Sequence, residues 1–293
     1  MTARAWSALE AAHRHDASAR LPLLVADGGL LRHAGSVARA HVAALRRWPG
    51  VLQVDDQAVT LRCSADMRSR QLAAINTQLH ADGLVRGWRS ETYALPALDD
   101  GRPLAAIERA AARFWGSLTF GAHCNGYVAG ADGRPMQLWI ARRSDTKPTD
   151  PGQLDNLIGG GVPLGQSPAA CVRREGWEEA GLTPAQMAGL RPGRRIALLR
   201  DVAEGLQREQ LSVYDLALPA GLQPRNQDGE VQAITLMPVD QALACAADGA
   251  MTVDATLATL DFALRHGLLP AAEAELLAAR AAPLWLGRAS LDP

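Results

Sequence analysis

Lysine is almost missing from this chain, since Lys147 is the single one among 30 basic side chains in 293 residues. Arginine carries the remainder and alanine is abundant, a pattern that reads as compositional bias and not as phosphate recognition. Charge of either sign fails to accumulate: 31 acidic residues leave a formal net charge of −1. With no basic stripe interleaved with aromatics, a nucleic acid polymer is excluded as an expected partner. Cysteine is sparse, and Cys63, Cys124, Cys171 and Cys245 lie far apart with no C-x-x-C, which argues against a zinc site and a disulfide scaffold. Reduced thiols are expected. Long apolar runs are missing too, and Met1 to Arg20 holds no uninterrupted apolar core, so the expectation is a soluble cytoplasmic protein without a membrane partner. Internal repeats and low-complexity segments are absent.

What is present is enough apolar residue, 48% of the chain, to build cores for two domains. Periodicity predicts a helix over 5–14, a short strand over Leu21–Val25 bounded by Asp27-Gly28-Gly29, a helix over Val37–Trp48, a hairpin of 51–54 and 59–63, and a helix over 65–82. The segment Gly83–Tyr93 reads as a strand that either brings Trp88 and Arg89 toward a surface or, the favoured reading, places Trp88 in the core with Arg89 as a solvated partner of Glu91. Ala97–Arg102 reads as a linker, because Asp99-Asp100-Gly101 is followed by Pro103. The predicted organisation is an α+β N-terminal domain over 1–100, a second domain over 101–265 and a helical tail over 266–293 packed on it. Beyond the linker, 107–114 reads as a helix, 125–129 and 136–142 as strands, then 195–202, 210–217 and 231–237 as further strands, with a helix over Val239–Ala247 and more to about Arg280. Trp6, Trp48, Trp88, Trp115, Trp139, Trp177 and Trp285 are scattered and suit cores, with one available to stack on a ligand ring.

The chemistry is concentrated between residues 159 and 182. Gly159-Gly160-Gly161 opens a loop, and an acidic helix follows. Ser167 suits its N-cap, Pro168 its first position and Gly181 the left-handed residue after its last turn. Glu175, Glu178 and Glu179 stand at i, i+3 and i+4, so their carboxylates share a face and repel unless a cation sits among them. Clustered hard oxygens suit Mg²⁺ or Mn²⁺, whose remaining positions substrate phosphate oxygens can fill. The competing reading is a solvated acidic helix face. Gly176 in the helix interior costs roughly 1 kcal/mol relative to Ala, which predicts close packing there, with Trp177 as a neighbour to fill the space. Upstream, Arg142, Arg143 and Lys147 could hold a diphosphate by charge-assisted hydrogen bonds or form a solvated basic turn. Glu230, in an acidic turn before a predicted strand, is a candidate ligand or base, against the plain reading of a turn acid. His123 and Asn125 are equally open.

Gly160, Arg174-Glu175, Glu178-Glu179 and Gly181-Leu182 resemble the Nudix box, G-x5-E-x7-R-E-U-x-E-E-x-G-U, with Gln166 in place of a Glu and Gly176 in place of a bulky aliphatic. The flanking strings Leu138–Lys147, Leu154-Asp155-Asn156, Asn226–Val231 and Gly87–Tyr93 resemble the branch related to the thiamine pyrophosphokinase-associated Nudix domain, which carries an extra N-terminal domain. The resemblance implies an α/β/α Nudix sandwich with a mixed sheet, preceded by a small α+β domain. It also implies a small-molecule diphosphate substrate, most specifically thiamine diphosphate or its oxidised analogues, cleaved to the monophosphate. In that picture Glu175, Glu178, Glu179, Glu230 and the carbonyl of Gly159 hold Mg²⁺ or Mn²⁺, Arg174 orients the carboxylates, and Arg142, Arg143, Lys147 and Asn156 face the substrate. Two alternatives stand beside it: a hydrolase of nucleoside diphosphate sugars, dinucleotides or coenzyme A, and a non-catalytic ligand-binding module, to which Gln166 lends its weight. A homodimer is compatible with the sequence and not demanded by it.

Overall fold

The computed structural model describes residues 5–291, so 1–4 and 292–293 of the expected terminal segments lie outside the described residues. The first part of the chain runs α1 (Ala8–Ala11), β1 (Arg20–Asp27), β2 (Leu30–Ala38), α2 (Val42–Leu45), β3 (Leu52–Val54), β4 (Val59–Leu61), α3 (Arg68–Ala81), β5 (Thr92–Pro96) and β6 (Pro103–Glu108). Four of these strands form a sheet in the order β2-β1-β4-β3, with β1 and β4 parallel and the other pairs antiparallel. Leu72, Ile75 and Leu79, at helical spacing on α3, bury against Leu23, Val25 and Leu61 of that sheet.

Several expectations fail here for identifiable reasons. Val37–Trp48 is not one helix: Ala34 and Val37 are buried as part of β2, which pairs with β1 along its whole length, and only a 3-10 turn, Arg39–His41, and the α-helical Val42–Leu45 are helical. Apolar positions at 37, 42, 45 and 48 imitate helical periodicity, and strand pairing overrides it. Gly28 and Gly29, both at positive φ (56° and 83°), form the tight turn that joins β1 to β2. Gly83–Tyr93 is irregular until Thr92, broken by positive φ at Gly83, Gly87 and Ser90. Trp88 does pack on the N-terminal core. Ala97–Arg102 is the turn of the β5–β6 hairpin and not a linker, and Leu95, Leu104 and Ile107 bury in the same core as β1. Residues 107–114 hold the end of β6 and a short 3-10 turn, Arg109–Ala111, instead of a helix.

The rest of the chain builds around β7 (Leu118–Ala129), β8 (Pro135–Arg143), β9 (Leu154–Asn156), β10 (Ile158–Gly161), α4 (Pro168–Ala180), β11 (Arg191–Val202), β12 (Gly205–Ala217), β13 (Val231–Pro238), α5 (Val239–Ala247), α6 (Val253–Arg265), α7 (Ala271–Ala281) and β14 (Trp285–Arg288). The sheet order is β13-β8-β7-β12-β11-β14, with β10 on β7 and β9 on β8. It is mixed, because β7 and β12 run parallel while the remaining pairs are antiparallel. Alternation along β12 assigns the two faces: Leu211 and Val213 pack under α5 and α6, whereas Tyr214 and Leu216 pack under α4. The fold is therefore α+β, with helices on both faces of a mixed sheet. α6 is fastened to this sheet by Asp261, fully buried, which binds Arg194 of β11 at 2.6 Å and Arg265 at 2.8 Å. Among the described residues no helix is long and apolar enough to cross a membrane.

Candidate active site

Helix α4 begins as its sequence predicts. Ser167 Oγ accepts a hydrogen bond from the Ala170 N–H at 3.2 Å, Pro168 occupies the first turn, and Gly181 closes the helix at φ 64°. Its partner is less expected, since the glycine loop is in fact strand β10, with Gly159 opposite His123, Gly160 opposite Ala122 and Gly161 opposite Gly121. The α4 helix packs so closely on this strand that a Cβ at Gly160 would lie 2.3 Å from Glu175 Oε1. Cys171 Sγ adds a hydrogen bond to the Gly161 carbonyl at 3.3 Å. Gly176 is tight as expected, but Met187 and Ile158 fill the space at 3.0 and 3.2 Å from a notional Cβ, while Trp177 is 54% exposed and points away.

The three glutamates have different surroundings. Glu179 is 4% exposed; its Oε2 accepts the Gly159 N–H at 2.8 Å, and Lys147 Nζ lies 3.5 Å from Oε1. Burial pushes its carboxyl up to about 8. Glu175 is buried beside Gly160, accepts from Arg174 at 2.7 Å, and is pushed up to about 7, again chiefly by burial. Glu178 is half-exposed and takes the other arm of Arg174 at 2.6 Å. Arg174 therefore joins Glu175 to Glu178, which is the orienting contact expected of it.

Lys147 brings Glu230 into the group, through a 2.7 Å contact to Glu230 Oε2. This lysine, with Arg89 at 3.6 Å, holds the half-exposed Glu230 carboxyl below the usual range against the desolvation that raises it. Arg89 thus faces Glu230, and Glu91 pairs with Arg109 instead, at 2.7 Å. The other basic candidates turn elsewhere. Arg142 is exposed and donates to the Gly152 carbonyl at 2.9 Å. Arg143 lines the cleft but is occupied by Asp155 at 2.9 Å and the carbonyls of Asp150 and Thr149. Asn156 is buried, linking His123 at 2.8 Å, Asn125 at 2.9 Å and Thr259 at 3.1 Å, so it and the two ambiguous residues belong to an interior hydrogen-bond network. Gln166 stands on the exposed turn before α4, where it lines a pocket with Val162, Pro163 and Pro168.

Two side chains that sequence reasoning passed over come from the N-terminal part. Arg109 Nη2 and the Tyr93 hydroxyl approach the glycine strand so closely that a Cβ at Gly161 would lie 3.0 and 1.7 Å from them. A 2.9 Å bond from the Leu164 N–H to the Thr92 carbonyl fixes β5 there. Tyr93 ends the string Gly87–Tyr93 without a role assigned to it there, and no local pattern marks Arg109, because the two meet only where β5 and the turn after β6 come together.

Whether this set suits a divalent cation is decided by donor chemistry. Glu175, Glu178 and Glu179 offer only hard oxygens, which fits Mg²⁺ or Mn²⁺, and since burial is what raises Glu175 and Glu179, a cation bound beside them would favour their ionised forms. Among the described residues no three acidic, histidine or cysteine side chains already converge as a cage; Arg174 lies between Glu175 and Glu178.

Comparison with known proteins places a family on this geometry. Residues 123–256, which contain β10 and α4, match the model of the NUDIX domain. The chain carries a NUDIX domain. Residues 4–118 ahead of it match DUF4743, a domain of unknown function. The chain is similar to Nudix hydrolase 20, chloroplastic, of Arabidopsis thaliana, with 36% identity over 203 residues, covering 69% of this chain and 54% of that protein. It is also 36% identical over 226 residues to Nudix hydrolase 24, chloroplastic, of the same plant, covering 72% of this chain and 58% of the relative. The chain thus spans little more than half the length of these relatives. Among solved structures, DR0079 from Deinococcus radiodurans aligns over 59% of this chain and 99% of its own, at 24% identity and a TM-score of 0.44.

Proposed function

We propose that this protein is a metal-dependent hydrolase of a small-molecule diphosphate, and that its substrate is thiamine diphosphate or an oxidised analogue, cleaved to the monophosphate. The observation that carries the hydrolase reading is the convergence on one glycine strand of two buried glutamates, Glu175 and Glu179, with the cations Lys147 and Arg109. The thiamine assignment rests on the flanking strings of the sequence.

Glu175, Glu178 and Glu179 would hold Mg²⁺ or Mn²⁺, which when bound polarises a phosphoryl oxygen and lowers the pKa of a coordinated water. Arg174 keeps Glu175 and Glu178 aligned, and β10 keeps Glu179 fixed through the Gly159 N–H. Arg109 and Lys147 bind phosphate oxygens by charge-assisted hydrogen bonds. Glu230 is ionised by its contact with Lys147, so it can accept a proton from water, although its lowered pKa makes it a weak base. Gln166 on its exposed turn leaves the three glutamates intact, which supports turnover over a binding-only role.

Phosphate release from thiamine diphosphate with Mg²⁺ tests this reading. Glu175→Gln and Glu178→Gln are each expected to lower kcat by about 10²–10³-fold, as for loss of other preorganised electrostatic groups. Full activity in both variants, or in the presence of a chelator, would overturn it.

A further inference from the structure

The glycine strand that carries Glu175 on one flank lines a cavity of about 120 Å³, bounded by Gly159–Gly161 on one side and by the N-terminal Tyr93 and Arg109 on the other. Its far wall is acidic. Glu209 of β12 is buried there, in room that exists because Gly121 has no side chain: a Cβ at Gly121 would lie 2.1 Å from Glu209 Oε1. Asp254, in the first turn of α6, and Asp150 complete the wall. What joins Glu209 to Asp254 is a neutral amide, since Gln207 Nε2 donates to Glu209 at 3.1 Å and to both oxygens of Asp254 at 3.1 and 3.2 Å. Arg113 and His123 offset the Glu209 charge in part, but Arg113 is itself paired with Glu204 at 3.1 Å and Arg143 with Asp155 at 2.9 Å. Buried carboxylates in this state call for a positive partner.

A second observation points independently to a ligand. Tyr93 is 4% exposed, lines this cavity, and its hydroxyl finds no hydrogen-bond partner in the protein. A buried phenol is normally satisfied, so an orphaned one facing a cavity marks the place of a missing polar group. The chemistry of that group can be narrowed. Among the described residues the acidic side chains do not converge as a metal cage. Phe120 also lines the wall and supplies an aromatic surface for a ring, while the Tyr93 ring already carries the Arg109 guanidinium 5.5 Å from its centroid and leaves its hydroxyl for the ligand. The volume lies well below the roughly 300–1,000 Å³ of pockets that take drug-sized ligands, which leaves room for one ring and not for a dinucleotide.

We propose that this cavity is the specificity subsite for the non-phosphate end of the substrate, taking a single positively charged or amino-bearing ring that Glu209 and Asp254 recognise and Tyr93 hydrogen-bonds. The inference rests on the diphosphate-hydrolase reading and adds to it a reason for selectivity, supplied jointly by the two parts of the chain.

The test uses two diphosphates with different heads: thiamine diphosphate, whose thiazolium is cationic, and benzyl diphosphate, whose ring is neutral. The intact protein should favour the cationic substrate in kcat/KM. Glu209→Gln should reduce that ratio about tenfold or more, the range seen when one partner of a buried charge pair is removed. Asp254→Asn provides the same comparison if Glu209→Gln does not fold, as judged by its melting curve. An unchanged ratio, or no preference in the unsubstituted protein, would overturn the subsite while leaving hydrolysis standing. Calorimetric titration with thiamine and with benzyl alcohol separates the opposite case. Preferential binding of thiamine, lost in Glu209→Gln, without cleavage of either diphosphate, would sink the hydrolase reading and retain the subsite.

Discussion

Glu179 has little water around it, one lysine at 3.5 Å and a backbone N–H at 2.8 Å, which is too little to keep a buried carboxylate at its ordinary pKa. Its carboxyl, with that of Glu175, is pushed from 4.5 to about 8 and about 7 respectively. The sign of the consequence follows from linkage. A raised acid binds more protons folded than unfolded, so its ionisation opposes folding, beginning above pH 4.5 and complete above the folded pKa. Metal-free protein should therefore lose melting temperature between about pH 5 and pH 8, and Glu179→Gln should flatten that slope. Added Mg²⁺ should raise the melting temperature more at pH 8 than at pH 5, where the ligands are protonated. A slope unchanged in Glu179→Gln would refute the assignment. At this scale the sequence was legible where spacing is local: the glutamates and Arg174 share a helix face because 3.6-residue periodicity puts them there. Arg109 and Tyr93 were illegible because their neighbours in sequence say nothing about the strand they meet. Asn156, expected from the resemblance to face the substrate, is bonded to His123, and Arg143, expected from its place upstream of the glycines, is bonded to Asp155 while lining the cavity, partners that lie too far along the chain for local pattern to reveal.

Among the elements, β10 and α4 form the unit on which the site depends. Gly160→Ala tests their fit, because its Cβ would collide with the Glu175 carboxylate, the far end of a flexible side chain. The fold can accommodate that by swinging Glu175 aside, so stability should change by about 1 kcal/mol or less. Hydrolysis should fall by about 100-fold, as misplacement by about 1 Å of a reacting group does. Activity near that of the unsubstituted protein would show that Glu175 does not need its present position. Helix α4 was readable because both its caps are written in Ser167, Pro168 and Gly181. Strand β10 was not, since three glycines offer no side chain to reveal a strand's two faces and only pairing with β7 defines it. The same holds for β6, whose Ile107 and neighbouring alanines suit a helix as well as a strand until β5 lies beside them.

At the scale of the molecule, the two parts of the chain share more than a boundary. The Ser36 N–H bonds the Trp115 carbonyl at 2.8 Å, and the Leu206 N–H bonds that of Arg113 at 2.9 Å. Trp6, Leu9 and Ala12 of the first segment lie in the core under α5 and α6, apart from the sheet that follows them in sequence. A fragment of residues 118–293 would lack those three side chains, and losing a buried tryptophan alone costs about 3–5 kcal/mol. We expect that fragment to show no cooperative melting transition, whereas the full chain does; a cooperative transition would show that the NUDIX part stands alone. The packing of α1 also bears on how the chain is made. Trp6 N–H bonds the Ala247 carbonyl at 3.2 Å, and Leu199 N–H bonds that of Ala12 at 2.8 Å. During synthesis, at about 5–20 residues per second, the first segment therefore spends on the order of ten seconds or more without its docking place. Its apolar face, Trp6 and Leu9, stays without its native cover until α5 leaves the ribosome.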